Sequence, residues 1–372
     1  MDPQAPCCHH PACPARGQVG RDNIRLHRRK ERRYRCLRCG QSFAATAGTV
    51  FFRLRTAVEV VTVVLTLRCH GCPIQAIVAP FGLDVRTVAA WQRRAGQHGQ
   101  AVHQHLVAQG KVGREHVQAD AWYVKLVGQR VGMALALAVP TRLWLGGVVS
   151  PQRDLTLITR FVQMVRASAR RLALVVGVDG LSSYLTAFGR VFRDPVRTGR
   201  RGRPRLVLVA GFLLGQGVKQ YAKRHVTGVV HRAVQGTLTA SNAAVVASGG
   251  GTTINTAYIE RLHATFRSAL TSLVRRGRAI ARQQGTLTAG MWLVGSADNF
   301  CGEHESLRVP AGTRTGRKWQ ERTPAMAAGL TGHRWSRREL LSYQVPLPTW
   351  AAPKRRGRPP KQARPPLQAV AV

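Results

Sequence analysis

Acidic residues are scarce in this chain. Its 372 residues include 16 Asp and Glu against 57 Lys and Arg, a formal net charge of +41. So large an excess is more than solubility requires and calls for a polyanionic partner. Nucleic acid comes first, because each neutralised phosphate adds salt-dependent affinity. Long apolar runs are also missing. Val131–Val139 meets Pro140 and Arg142, and Leu206–Leu214 soon meets Gly215 and Lys219. Neither reaches the roughly 20 continuous apolar residues that span a bilayer. The opening Met-Asp-Pro-Gln-Ala-Pro-Cys-Cys-His-His has no charged-then-apolar export segment. The expectation is a cytoplasmic, nucleoid-associated protein with no membrane partner.

What is present is globular. Hydrophobic residues make up 44% and charged residues 20% of a chain long enough for two or three domains. Seven of the eight cysteines fall within the first 72 residues. Cys8-x4-Cys13 and Cys36-x2-Cys39 are two short-spaced pairs, each able to set two thiolates on one knuckle, and two knuckles make a tetrahedral structural Zn²⁺ site. Cys7, His9 and His10 are further potential ligands beside the first knuckle. Cys69, Cys72 and Cys301 read as packing residues.

A helix-turn-helix pattern follows. Pro73–Phe81 reads as a first helix broken by Gly82, with Asp84 capping a second. In the second, Val85, Val88 and Trp91 form the inner face, while Arg86, Thr87, Ala90, Arg93 and Arg94 point outward. That composition suits phosphate and major-groove contacts.

With 16 carboxylates, each can be weighed singly. Asp120 interrupts an apolar strand, His116–Val127, and Asp179 closes the apolar run Leu172–Val178. An acid at the end of a buried strand is costly unless compensated, and a hard divalent cation such as Mg²⁺ compensates it. Glu260 lies on a helix expected to run from an Asn255 cap to about Arg276. It sits with His263 and Arg267 on the flank of a stripe formed by Ile259, Leu262, Phe266, Leu270 and Leu273. Strands at 116–126, 131–139 and 142–149, a helix near 154–170, a strand at 172–178 and a late helix give an α/β order, that of a ribonuclease H-like fold. Two Asp and one Glu in those places can hold two divalent ions about 4 Å apart.

These residues resemble bacterial insertion-sequence transposases of the DDE class, most like the insertion-sequence-one type. The resemblance covers the cysteine knuckles, Phe43–Thr49, the helix-turn-helix, Val117-Gln-Ala-Asp120 and Val178-Asp-Gly180 with Tyr184. It is most specific in Asn255-Thr-Ala-Tyr-Ile-Glu-Arg-Leu-His-Ala-Thr-Phe-Arg267, followed by Arg275-Arg-Gly-Arg-Ala279 and Asn299-Phe-Cys-Gly-Glu-His304. It implies that Asp120, Asp179 and Glu260 bind two Mg²⁺ (or Mn²⁺) ions, that Arg267 and Arg278 contact DNA near the cut, and that Asn299 and His304 lie at the site's edge. Ala121 and His263 depart from the usual pattern, which more often has an acid and Asn there. The implied activity is Mg-dependent cleavage and strand transfer at the element's terminal repeats and target DNA, by a homodimer or higher multimer. A non-catalytic DNA-binding regulator and a nuclease that cuts without joining are the alternatives.

The domain plan is a zinc ribbon over 1–50, a helix-turn-helix domain over 51–110, a ribonuclease H-like catalytic domain over 111–310 with an insertion at about 190–252, and a basic tail over 311–372. Gly-Arg-Pro cores at Arg200–Arg205 and Lys354–Lys361 resemble AT-hooks: the tail copy reads as a hook whose Arg356 and Arg358 can enter an A·T minor groove, the internal copy as a basic linker held by phosphates alone.

Overall fold

A computed structural model of the chain describes residues 6–109, 113, 115–169, 173–197, 199, 202–223, 225–274, 281–311, 318–348 and 350–351. The chain divides into two compact units, Met1–Ala45 with Pro346–Val372, and Thr46–Val345.

The smaller unit holds three short antiparallel strands, β1 (Ile24–Arg28), β2 (Arg33–Cys36) and β3 (Ser42–Ala44), in the order β1-β2-β3. Its buried cluster is Cys8, Cys13, Ala15 and Cys36, with Ile24 and Cys39 packed against it. A core this small cannot offset the ordering of some 40 residues by apolar burial alone.

The larger unit opens with three helices, α1 (Val58–Cys69), α2 (Ile74–Phe81) and α3 (Val85–Leu106). Asp84 caps α3 by accepting from Arg86 N at 2.7 Å. Val88 and Trp91 are buried as their spacing predicts, but Val85 is 39% exposed. In the first turn of α3 only Val88 reaches the core, and Val85 stays outside it.

Next come β4 (His116–Leu126), β5 (Gln129–Ala138), β6 (Leu143–Ser150), α4 (Leu155–Ser168), β7 (Val175–Asp179) and α5 (Ser182–Val191). A small hairpin of β8 (Arg193–Val196) and β9 (Arg205–Leu208) forms its own two-stranded sheet. Then follow β10 (Leu213–Ala222), β11 (His225–Gln235), α6 (Leu238–Ala247), α7 (Ala257–Ala269) and α8 (Gln284–Cys301).

Six of these strands form one mixed sheet in the order β11-β10-β7-β4-β5-β6. The pairs β4·β7 and β7·β10 are parallel; β4·β5, β5·β6 and β10·β11 are antiparallel. From Val131 onward β5 is buried throughout, as befits a strand covered on both faces. Its alanines 134, 136 and 138 pack with α4 and α5, while Val131, Met133, Leu135 and Leu137 pack with α7 and α8. The fold is therefore a mixed α/β sheet sandwiched between helices.

Three expectations change. The interval 190–252 is not one insertion: from Leu213 it supplies β10, a strand hydrogen-bonded to β7 within the main sheet. The helix bearing Glu260 ends at Ala269, and Thr271–Leu273 forms a separate 3₁₀ turn. Helices α1–α3 share one compact unit with the sheet. The division expected near residue 110 is bridged by α3 against α8, where a side chain at Gly96 would place its Cβ 2.3 Å from Ala289 O.

Candidate active site and metal centre

In the smaller unit, Cys8, Cys13, Cys36 and Cys39 bring their sulfurs within 4.8 Å of one another. The Cys8–Cys39 and Cys13–Cys36 Sγ separations are 3.7 and 3.8 Å. A tetrahedral ion with Zn–S bonds of about 2.3 Å requires an edge of about 3.8 Å. The second knuckle is shaped by Gly40, whose N–H donates to Cys36 O at 2.9 Å and whose φ is +70°. The open question at the first knuckle resolves to Cys8. His9 instead lies against Phe43, with ring centroids 5.4 Å apart, and His10 is exposed. Cys7 is buried outside the quartet, and burial raises its thiol pKa. Four convergent thiols can bind a metal such as zinc.

In the larger unit, a cavity of about 380 Å³ is lined by Asp120, Arg153, Asp179, Lys219, Tyr221 and Glu260, among others. Three elements deliver the acids. Asp120 lies in mid-β4, Asp179 is the last residue of β7, and Glu260 is in the first turn of α7.

Gln118 sets the position of α7. It is fully buried, two residues before Asp120 and hence on the same sheet face. Its Oε1 accepts from Tyr258 N at 2.9 Å and Ile259 N at 3.0 Å, satisfying two of the helix's orphan donors. Its Nε2 donates to Asn255 Oδ1 at 2.9 Å, and that oxygen also accepts from Ala257 N at 3.2 Å. The cap position is Thr256 and not Asn255 as expected, and Asn255 acts from one residue outside it. The segment before α7 lies flat on the sheet because Gly215 carries no side chain: a Cβ there would meet Ile254 Cδ1 at 2.0 Å.

The electrostatics of the cleft follow from burial. Desolvation, then the charge of Asp179, pushes the Asp120 carboxyl up to about 7. Desolvation also raises Asp179, against a hydrogen bond from Leu181 N at 3.1 Å and the Arg153 guanidinium, whose Nη2 is 3.5 Å from Asp179 Oδ2. Glu260 Oε1 accepts from Lys219 Nζ at 2.7 Å and Thr256 Oγ1 at 3.1 Å. His263 Nδ1 lies 3.4 Å from Asp120 Oδ2, and its ring sits 3.9 Å from Trp122. Burial first, then Arg267, lowers its pKa to about 3, so the His263 ring is neutral. Tyr184 is fully buried close to Asp120 and Asp179, and its hydroxyl has no hydrogen-bond partner.

Among the described residues, the cysteine quartet is the one group of three or more ligand atoms drawn within 4.8 Å. The three carboxylates share the cleft at wider spacing, with cationic side chains on two of them.

The other expected residues divide. Arg86 and Arg93 are exposed and Thr87 half-buried on α3. Arg94 turns inward, contrary to expectation, because its guanidinium donates to Phe52 O and burial lowers its pKa. Arg267 lies over Trp122, 5.8 Å from the ring centroid, at the cleft's flank. Asn299 is not at the site: it clamps β6 to α8, exchanging hydrogen bonds of 2.8 Å with Trp144 N and O. His304 pairs with Asp298 at 3.5 Å and lines a different cavity with Arg142, Tyr258 and Arg261. Arg278, Arg356 and Arg358 lie outside the described residues.

Sequence reasoning missed Gln118, Arg153 and Lys219. Gln118 carried a usable signal, its two-residue spacing from Asp120. Lys219 carried none, since its role depends on β10 joining β7. No protein-family model matches the chain, and no curated protein is detectably similar to it. No helix among the described residues is long and apolar enough to cross a membrane.

Proposed function

We propose that the protein is a DNA transposase of the DDE class, with a ribonuclease H-like core, an amino-terminal zinc ribbon and a DNA-reading helix pair at α2–α3. One observation carries the reading: Asp120, Asp179 and Glu260, from a central strand, the end of its parallel neighbour and a helix on the sheet face, line one cleft. The strand order β6-β5-β4-β7-β10, two antiparallel pairs followed by two parallel ones, supports the core assignment. The +41 net charge supports a nucleic-acid partner.

The donor set fits divalent magnesium or manganese. All three ligands are oxygen, and the raised pKa values of Asp120 and Asp179 mark buried negative charge short of compensation. When bound there, such ions activate the attacking water or 3′-hydroxyl and stabilise the leaving oxygen. The chain's own contribution is placement. Gln118 and Asn255 fix α7 and hence Glu260, Arg153 holds Asp179, and neutral His263 lies beside Asp120. The Arg86–Arg93 face and Arg267 supply phosphate contacts. Terminal repeats and target DNA are the substrates, and a multimer on DNA is the working form.

The test is cleavage and joining of the element's terminal repeats by the purified full chain in Mg²⁺. Wild type is expected to cut and join, and Asp179→Asn to lose both while binding DNA as before. Binding without metal-dependent cleavage would overturn the reading in favour of a DNA-binding regulator. Cleavage without joining would leave a nuclease.

A further inference from the structure

In the parallel pair β7·β10 the last matched residues are Asp179 and Gly217. There β7 stops, while β10 continues to Ala222, hydrogen-bonded only to β11, with Lys219 opposite Val229 and Tyr221 opposite Val226. Residues 217, 219 and 221 share one face of the strand, and all three line the acidic cleft. The overhang therefore carries an ammonium past the end of β7 and into the acidic cleft. That ammonium sits 2.7 Å from Glu260 Oε1.

The contact has two properties of an exchangeable pair. The Lys219 and Glu260 side chains are 43% and 47% exposed, so neither is locked by packing. The partner oxygen is one that a divalent ion in the cleft would need, and it is engaged by Lys219 and Thr256 together. Lys219 is also held in its charged form, chiefly by the hydrogen bond to Glu260 and further by the Glu260 and Asp120 charges.

We propose that Lys219 is a positioning residue that acts as a built-in counter-cation. It neutralises Glu260 until a divalent ion takes the carboxylate, so metal loading of the cleft is a competition between a tethered ammonium and the free ion. The lysine's four-carbon stem lets the displaced ammonium swing without moving β10, leaving a mobile cation beside the cleft for a phosphodiester oxygen. This rests on the proposed reading of Asp120, Asp179 and Glu260 as metal ligands.

The experiment measures Mn²⁺ binding to the zinc-loaded full chain without DNA, from the electron paramagnetic resonance signal of free Mn²⁺. Exposed ion pairs contribute up to ~1 kcal/mol, which converts to roughly fivefold in affinity. Lys219→Met is therefore expected to tighten Mn²⁺ binding by up to about fivefold, and Lys219→Arg, which keeps the charge, to leave it close to wild type. A purely structural lysine would give unchanged or weaker binding in the methionine variant, and that result overturns the proposal. Glu260→Gln separates the two layers. If it leaves Mn²⁺ binding intact, the metal-site reading itself fails, and the competition with it. If it weakens binding while Lys219→Met does not tighten it, only the competition fails. A thermal melt of Lys219→Met that matches wild type confirms that the variant is folded.

Discussion

Gln118 donates through Nε2 to Asn255 Oδ1 at 2.9 Å across 137 residues of sequence. The same carboxamide accepts from two helix N–H groups. One buried side chain thereby joins the strand bearing Asp120 to the helix bearing Glu260. Gln118→Leu keeps most of the volume but strips those partners. Each buried group left unmade costs ~1–3 kcal/mol. Allowing for partial relaxation, the expected loss is about 2–4 kcal/mol in urea unfolding. Cleavage is expected to fall further than the unfolded fraction accounts for, because α7 loses its anchor.

Gly215→Ala tests the same alignment from the other side. The added methyl would enter the space of Ile254, 2.0 Å from Cδ1, and overpacking of this kind costs ~1–3 kcal/mol. The variant is expected to fold with a lower melting temperature and a displaced Ile254–Asn255 segment. Unchanged melting and unchanged activity would show that the close approach does not hold α7 in place.

The smaller unit has four thiols that can bind a metal and little apolar core besides them. One equivalent of zinc per chain is expected by elemental analysis. A strong chelator should unfold residues 6–45, read as loss of amide protection there, because binding free energy is folding free energy in such units. Cys36→Ser is expected to have the same effect without chelator. Protection that survives both treatments would exclude a structural metal.

His116 gives a pH signature. It is fully buried at the start of β4, with Nδ1 2.8 Å from Ser248 Oγ and Nε2 unpartnered. Burial, then Arg142, lowers its pKa to about 4 from an ordinary 6.5. Between those values the unfolded chain binds the proton and the folded chain does not. The stabilising contribution is therefore complete above pH 6.5 and is lost as pH falls toward 4. At ~1.4 kcal/mol per unit, the span is up to about 3 kcal/mol. His116→Gln is expected to flatten this part of the stability profile relative to wild type. Parallel profiles for the two proteins would refute the assignment.

The strands β4 to β6, the Asp84 cap of α3 and the cysteine quartet were legible because each rests on local chemistry: alternation, a side-chain oxygen near free N–H groups, or paired thiols. The role of β10 was not. Its sequence, Leu-Leu-Gly-Gln-Gly-Val-Lys-Gln-Tyr-Ala, is half exposed beyond the end of β7, so its apolar pattern fades where the overhang begins. Arg94 faced outward by helical angle, yet Phe52 O lay within its reach. Lys219 could not be found by spacing, because its distance from Glu260 is a property of the sheet.

Asp179 and Glu260 stand 81 positions apart in the sequence. Part of that interval is a detour: β8 and β9 form a hairpin outside the main sheet, and β10 then returns beside β7. A reporter module spliced between those two short strands would hang from a side branch, leaving the strands and helix that carry the three acids in register.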